Sequence, residues 1–360
     1  MDTHLAPLAF VKTDDLGVRL LNNVYTVSIR DMKPRRDMHQ EITGFLSVYG
    51  NVFNDIRIRQ IMERAADNTP DELCLYLHSL INAMPFHQLH RHDSEHALCT
   101  LDGMNRDYIS RYLQQHLAST AASICLQNGI SIGNRIWSWY NAAIYTDVAS
   151  TRLKLASMLY CKGDLNMAAD VLNNVERSYE NTVIAICGCY RMDPFVTKPR
   201  KEFTELLYEC DTDILMTNKV AYCVRFLRQE AFCAPPILHY EMIRSLGDDI
   251  QHRNHIDYVW INWAVVDSRP FLHYLQYLTF RGLGIRHRQL QALSSLYVSL
   301  LDGLDEKQLF HPETATHLYA HCLEIEGRTN DALGLYLASQ ESLPRNNAAN
   351  LHIRRLTNVL

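Results

Sequence analysis

Glycine and proline are scarce in this chain: 14 and 11 among 360 residues, both below ordinary usage. Breakers this sparse, with no regular turn punctuation, exclude a sandwich of many short strands and favour helices. No uncharged apolar run reaches the roughly 18 residues that a membrane span needs, so no membrane partner is expected. Basic charge is not in excess either. Lys and Arg number 35 against 40 Asp and Glu, a net charge of −5, which argues against a dedicated nucleic-acid binder. The local basic clusters (Arg30, Lys33, Arg35 and Arg36; Lys198, Arg200 and Lys201; Arg281, Arg286 and Arg288) read as solvated helix ends and loops. The opening residues, MDTHLAPLAFVKTDD, lack the basic-then-apolar pattern of a secretory leader. The phosphate-cradling GxxxxGK[ST], the dinucleotide GxGxxG and the zinc-protease HExxH are all missing, so these signatures supply no activity and no cofactor is expected.

What is present is apolar mass. Hydrophobic residues make up 47% of the chain, ample for a core and inconsistent with general disorder. Ten cysteines are scattered from Cys74 to Cys322. A chain this long needs no disulfide frame, so reduced thiols in a cytoplasmic protein are expected.

Apolar residues recur at helical steps along most of the sequence. Residues 1–103 read as an N-terminal helical region that ends in a His-rich loop, 84–103. Residues 104–360 read as a helical array. Within it, a long helix runs from Asn105 to Leu126, and the aromatics Trp137, Trp139, Tyr140 and Tyr145 read as core rather than as a ligand cage. Asp147 or Ser150 can cap a helix to about Cys161, and a second runs from Asn166 to Ser178. The segment 182–189 is β-branched and reads as a buried extended stretch or a short helix. Helices follow at Phe203–Leu207, Lys219–Gln229 and Pro236–Leu246. A hairpin turns about Gly284, and a last pair spans Glu313 to Leu343 before a closing helix from Asn347.

One spacing occurs twice. Ala156, Gly163, Ala168 and Leu172 keep the same steps as Ala320, Gly327, Ala332 and Tyr336, the latter followed by Pro344. Small residues on two facing helices around a turn glycine read as helix-turn-helix units of the tetratricopeptide kind, near 147–179 and 313–344. Small side chains let two helix axes approach closely. The expected fold is all-α, an irregular tetratricopeptide-like array of helical hairpins. First helices would line a concave surface, where His317, His321 and Glu324 form a polar strip for a protein or peptide partner.

Several blocks from about Asp147 onward, among them DVASTRLKLASMLYCKGDLNMAADVLNNVERSY and RPFLHYLQYLTFRGLGIRHRQLQAL, resemble the helical C-terminal region of uncharacterised invertebrate proteins. Some of those carry a male-abnormal type nucleotidyltransferase domain, similar to cyclic GMP-AMP synthase. The resemblance implies a helical region beside such an enzyme, not the enzyme itself. The Gly-Ser turn that would hold a triphosphate is absent. Asp211-Thr212-Asp213 has the alternating form of metal-binding acids but reads as a loop or cap. The leading expectation is a non-enzymatic interaction scaffold. The alternative is a catalytically inactive relative that binds nucleotide or nucleic acid.

Two clusters have metal-ligand chemistry. His87, His90, His92, His96 and Cys99 lie in the polar 84–103 loop, but without the paired spacing of a zinc module. Cys187 and Cys189, with Cys210, Cys223 and Cys233, lack paired CxxC spacing and read as buried thiols acting as small hydrophobes.

Overall fold

The computed structural model describes residue 111 and residues 114–179, 183–187, 217–244, 263–305, 309–344 and 346–357. The N-terminal region 1–103 lies outside them, as do the expected helix at Phe203–Leu207 and the two basic clusters at Arg30–Arg36 and Lys198–Lys201. Of the described residues 73% are helical, so the class is mainly α.

A helix through 114–127 (α1) leads to α2, Asn134–Ala143. Leu117, Ala118 and Ala121 of α1 and Trp139 and Tyr140 of α2 join Leu155, Met158 and Leu159 in one buried cluster. The aromatics at 139 and 140 are thus core, while Tyr145 is exposed.

Three helical hairpins follow in the chain. They are α3 (Ser150–Lys162) with α4 (Leu165–Ser178), α6 (Ser268–Gly282) with α7 (Arg286–Asp305), and α8 (Pro312–Ile325) with α9 (Thr329–Ser342). Each turns on a glycine with positive φ, namely Gly163 at 86°, Gly284 at 73° and Gly327 at 76°. Each turn closes with the same pair of bonds. The glycine N–H donates to the carbonyl three residues back, and the next N–H reaches the carbonyl five back: Asp164 to Leu159, Ile285 to Phe280 and Arg328 to Leu323, at 2.8–2.9 Å. This is the Schellman arrangement, and any side chain at its left-handed position is strained.

The hairpins pack in order. First helices touch one another (α3 on α6, α6 on α8), and each second helix lies against the first helix of the next hairpin. The small residues at the repeated spacing are fully buried. Ala320 and Ala332 share a cluster with Tyr336, while Ala156 and Ala168 fall in two different clusters, the former with Leu172. Pro344 is exposed after α9. Helix α10, Ala349–Thr357, closes the end against α9.

Strands interrupt the helices between the first and second hairpins. β1 (Ile184–Ile186) pairs in parallel with β2 (Val220–Tyr222), and β3 (Val224–Leu227) pairs antiparallel with β4 (Trp263–Val266). A 3₁₀ turn, Arg228–Cys233, and α5, Ile237–Ile243, lie between β3 and β4. The all-α expectation is corrected here. Segment 182–189 contains a strand, and Lys219–Gln229, expected as a helix, holds β2 and β3. Its β-branched and aromatic residues suit strands, and their partners lie far along the chain.

These strands and α5 cover the first helices. β3 packs on α3, and both β4 and α5 pack on α8. Nearly all of α3 from Ser150 to Leu159 and of α6 from Pro270 to Phe280 is buried. The first helices therefore line an internal core, and the second helices face outward.

Candidate functional site: an outer helical face and three buried polar clusters

Among the described residues, every large apolar side chain left exposed on the hairpins belongs to a second helix. Met167 lies on α4, Leu290, Tyr297, Val298 and Leu301 on α7, and Leu337 on α9. The four on α7 stand at steps of seven, one and three, which places them on one side of the helix. The opposite side, with Gln289, Ala292, Leu296 and Leu300, is buried. A helix with apolar residues on both sides has a second surface to cover.

The strip expected at His317, His321 and Glu324 is buried at His317 and half-buried at the other two. His317 is buried, with Nδ1 2.6 Å from Glu241 Oε1 and Nε2 3.0 Å from Ser339 Oγ. His321 Nδ1 lies 2.8 Å from the Tyr274 hydroxyl. Glu324 accepts from the Tyr336 hydroxyl at 2.7 Å and from both Arg355 terminal nitrogens at 2.6 and 2.7 Å. These residues bind α8 to α5, α6, α9 and α10. Burial takes His317 out of any contact strip, and His321 and Glu324, partly buried, are engaged by neighbouring helices.

The cationic positions near the second hairpin are engaged. Arg286 donates to Glu326 at 2.7 Å, and Arg288 bonds Asn173 while stacking 4.0 Å from the Phe280 ring centre.

A first buried cluster joins α1, α3 and the 3₁₀ turn. Lys154 Nζ is 2.6 Å from Glu230 Oε1 and 2.7 Å from His116 Nδ1, and Glu230 Oε2 accepts the Leu227 backbone N–H at 2.6 Å. All three side chains are almost wholly buried. Burial pushes His116 down to about 4, helped by the Lys154 charge. Burial alone would raise Glu230, but Lys154 and His116 outweigh it and hold the carboxyl at about 2. Lys154, lowered to about 8 by burial, is still charged at neutral pH. As a donor only, it makes His116 Nδ1 the acceptor.

His116 gives a pH dependence with a definite sign. Its folded pKa lies below the unfolded value of 6.5, so its contribution is present above pH 6.5 and lost as pH falls towards 4. The full swing is about 3 kcal/mol. Asp147, raised by burial to about 6, and Asp267, also raised by burial, act in the opposite sense. The His116 part is isolated by comparing wild type with His116→Gln in urea unfolding at pH 7 and pH 4. The variant loses less stability between those pH values; equal losses would show that His116 does not titrate as described.

A second cluster holds Glu241, His317 and His352, whose ligand atoms lie within 4.8 Å of one another. His352 stacks on Tyr336 at 4.5 Å between centroids and packs at a tilt of 50° against Tyr240 at 4.6 Å. Among the described residues neither of its ring nitrogens has a hydrogen-bond partner. Burial and the neighbouring His317 and Arg355 push it well down, so it is neutral. The third cluster, Cys187, Cys223 and His311, also has ligand atoms within 4.8 Å of each other.

No family model, curated protein or solved structure matches this chain. His87, His90, His92, His96 and Cys99 lie outside the described residues, as do Asp211 and Asp213, on which the nucleotidyltransferase alternative turns. Cys233 is buried, with its thiol 3.4 Å from the Ser119 carbonyl, as expected for a core thiol. The pentapeptide Gly129-Ile130-Ser131-Ile132-Gly133 has nucleophile-elbow spacing, but it links helix α1 to helix α2, whereas the elbow needs a strand before the serine, and Ser131 is exposed. Sequence reading missed the outward side of α7, although Leu290, Tyr297 and Leu301 were legible as a second apolar stripe on one helix. Among the described residues no helix is long and apolar enough to cross a membrane.

Proposed function

We propose that this chain is a non-catalytic protein-interaction scaffold, an irregular tetratricopeptide-like array acting in the cytoplasm. The partner docks on the outer face of α7 rather than in a groove between first helices. The observation that carries this reading is the exposed row Leu290, Tyr297, Val298 and Leu301. It spans 12 residues, about 16 Å of helix between its end positions, long enough for three turns of a partner helix with its own apolar stripe. Tyr297, which packs against Tyr319 at 5.3 Å between centroids, is the natural anchor, since aromatic residues dominate interface energetics. Covering these half-exposed side chains contributes about 1 kcal/mol each. Six thiols without disulfides among the described residues support a reducing setting.

The test is affinity capture with wild type, Tyr297→Asp/Leu301→Asp, and Leu337→Asp as a control on another helix. The double variant is expected to lose bound partners by tenfold or more while its melting temperature is unchanged, and the control to keep them. Partners held equally by wild type and the double variant would remove α7 from the binding surface.

A further inference from the structure

We propose that Cys187, Cys223, Asp267 and His311 form a structural zinc site. Strand register brings the first three together. Ile186 stands opposite Tyr222 in the parallel pair, and Val224 stands opposite Val266 in the antiparallel pair. One step along each ladder brings Cys187 beside Cys223 and Cys223 beside Asp267. Cys223 is the single residue between β2 and β3, where the pairing changes partner. Neighbouring strands run about 4.8 Å apart, so three residues with ligand chemistry are set in a row across three chain segments.

The fourth ligand comes from the start of α8. His311 Nε2 lies 3.2 Å from Cys187 Sγ, and Cys223 Sγ lies 3.7 Å from Asp267 Oδ1. Zinc bonds of about 2.3 Å to sulfur and 2.0 Å to nitrogen or oxygen, at tetrahedral angles, put ligand atoms roughly 3.5 Å apart. The His311–Cys187 and Cys223–Asp267 separations lie on either side of that value, and Cys187, Cys223 and His311 offer ligand atoms within 4.8 Å of one another; Asp267 stands outside that set of three and reaches it through its contact with Cys223. Two sulfurs, one imidazole and one carboxylate make a zinc set rather than a magnesium or calcium set.

The surroundings fit as well. The other His311 nitrogen, Nδ1, faces the Glu313 carboxylate at 3.8 Å, the outer position that orients a metal-bound imidazole. Asp267 is held by the backbone N–H groups of Phe310 at 3.1 Å and His311 at 2.8 Å. Two thiolates and a carboxylate around Zn²⁺ leave one net negative charge. Asp267 precedes α6 and His311 precedes α8, so the positive ends of two helices face that charge. Zinc binding displaces both thiol protons to solvent. Cys187 is only partly buried, which leaves an entry path.

The consequence is architectural. One ion fastens both two-stranded sheets to the N-termini of α6 and α8. Sequence spacing hides this, because no two of the four ligands come within 30 residues of each other, unlike the short pairs of zinc fingers.

The test uses the full chain purified from zinc-supplemented medium without chelators. Metal analysis is expected to give about one zinc per chain, and zinc-edge X-ray absorption a shell of two sulfurs and two nitrogen or oxygen atoms. Cys187→Ser and Cys223→Ser lose the zinc, whereas His311→Cys keeps it and raises the sulfur count to three. The wild-type absorption measurement needs no variant to fold. Zinc-free wild type, or a shell with four sulfurs or none, overturns the proposal. So does zinc that survives Cys187→Ser/Cys223→Ser and is lost instead from His90→Ala/His92→Ala or His352→Phe.

Discussion

Glu230→Gln is expected to lower the unfolding free energy at pH 7 by about 3–5 kcal/mol, the cost of leaving one buried charge without its partner. Glu230 is wholly buried and lies 2.6 Å from Lys154 Nζ, itself almost fully buried. The amide still accepts the Leu227 N–H, so the loss reports the ion pair and not the turn that Glu230 closes. Adding Lys154→Met removes the stranded ammonium, and the double variant Lys154→Met/Glu230→Gln recovers most of the loss. Urea unfolding of both single variants and the double forms a cycle whose coupling energy should be large and favourable. Additive effects would mean that the two groups do not share charge in the core.

Ala332→Arg is the other large effect. Ala332 has no exposed surface and packs among Ala320, Leu323, Tyr336, Ala349 and Leu356. A long side chain there forces α8 and α9 apart, at about 1–3 kcal/mol for overpacking alone, and its guanidinium enters an apolar cluster without a carboxylate partner. The summed cost is about 4 kcal/mol or more, enough to open the last hairpin and α10. Limited proteolysis should then cut within 329–357, while wild type resists. Leu337→Arg, five residues on and half exposed, should stay within about 0.5 kcal/mol of wild type. Wild-type resistance in Ala332→Arg would show that the small residue is not what sets the helix spacing.

The sequence by itself determined the hairpins. Helical periodicity, small residues at Ala156, Ala168, Ala320 and Ala332, and turn glycines at Gly163, Gly284 and Gly327 are local signals, because a left-handed turn and a helix face are settled within a few residues of one another. Which helix face meets water was decided only by the tertiary structure. Residues 220–243 and 263–266 fold back as strands and α5 onto α3 and α8. That buried His317, tied Glu324 into ion pairs within the fold, and left α7 with its apolar row outward. The strands were hidden for the same reason. β1 finds β2 across more than 30 residues, and β3 finds β4 across about as many, so no short window carries the pairing. Cys187 and Cys223 read as ordinary buried thiols until register set them side by side next to Asp267 and His311, because ligand convergence is a property of distance in space and not of spacing along the chain.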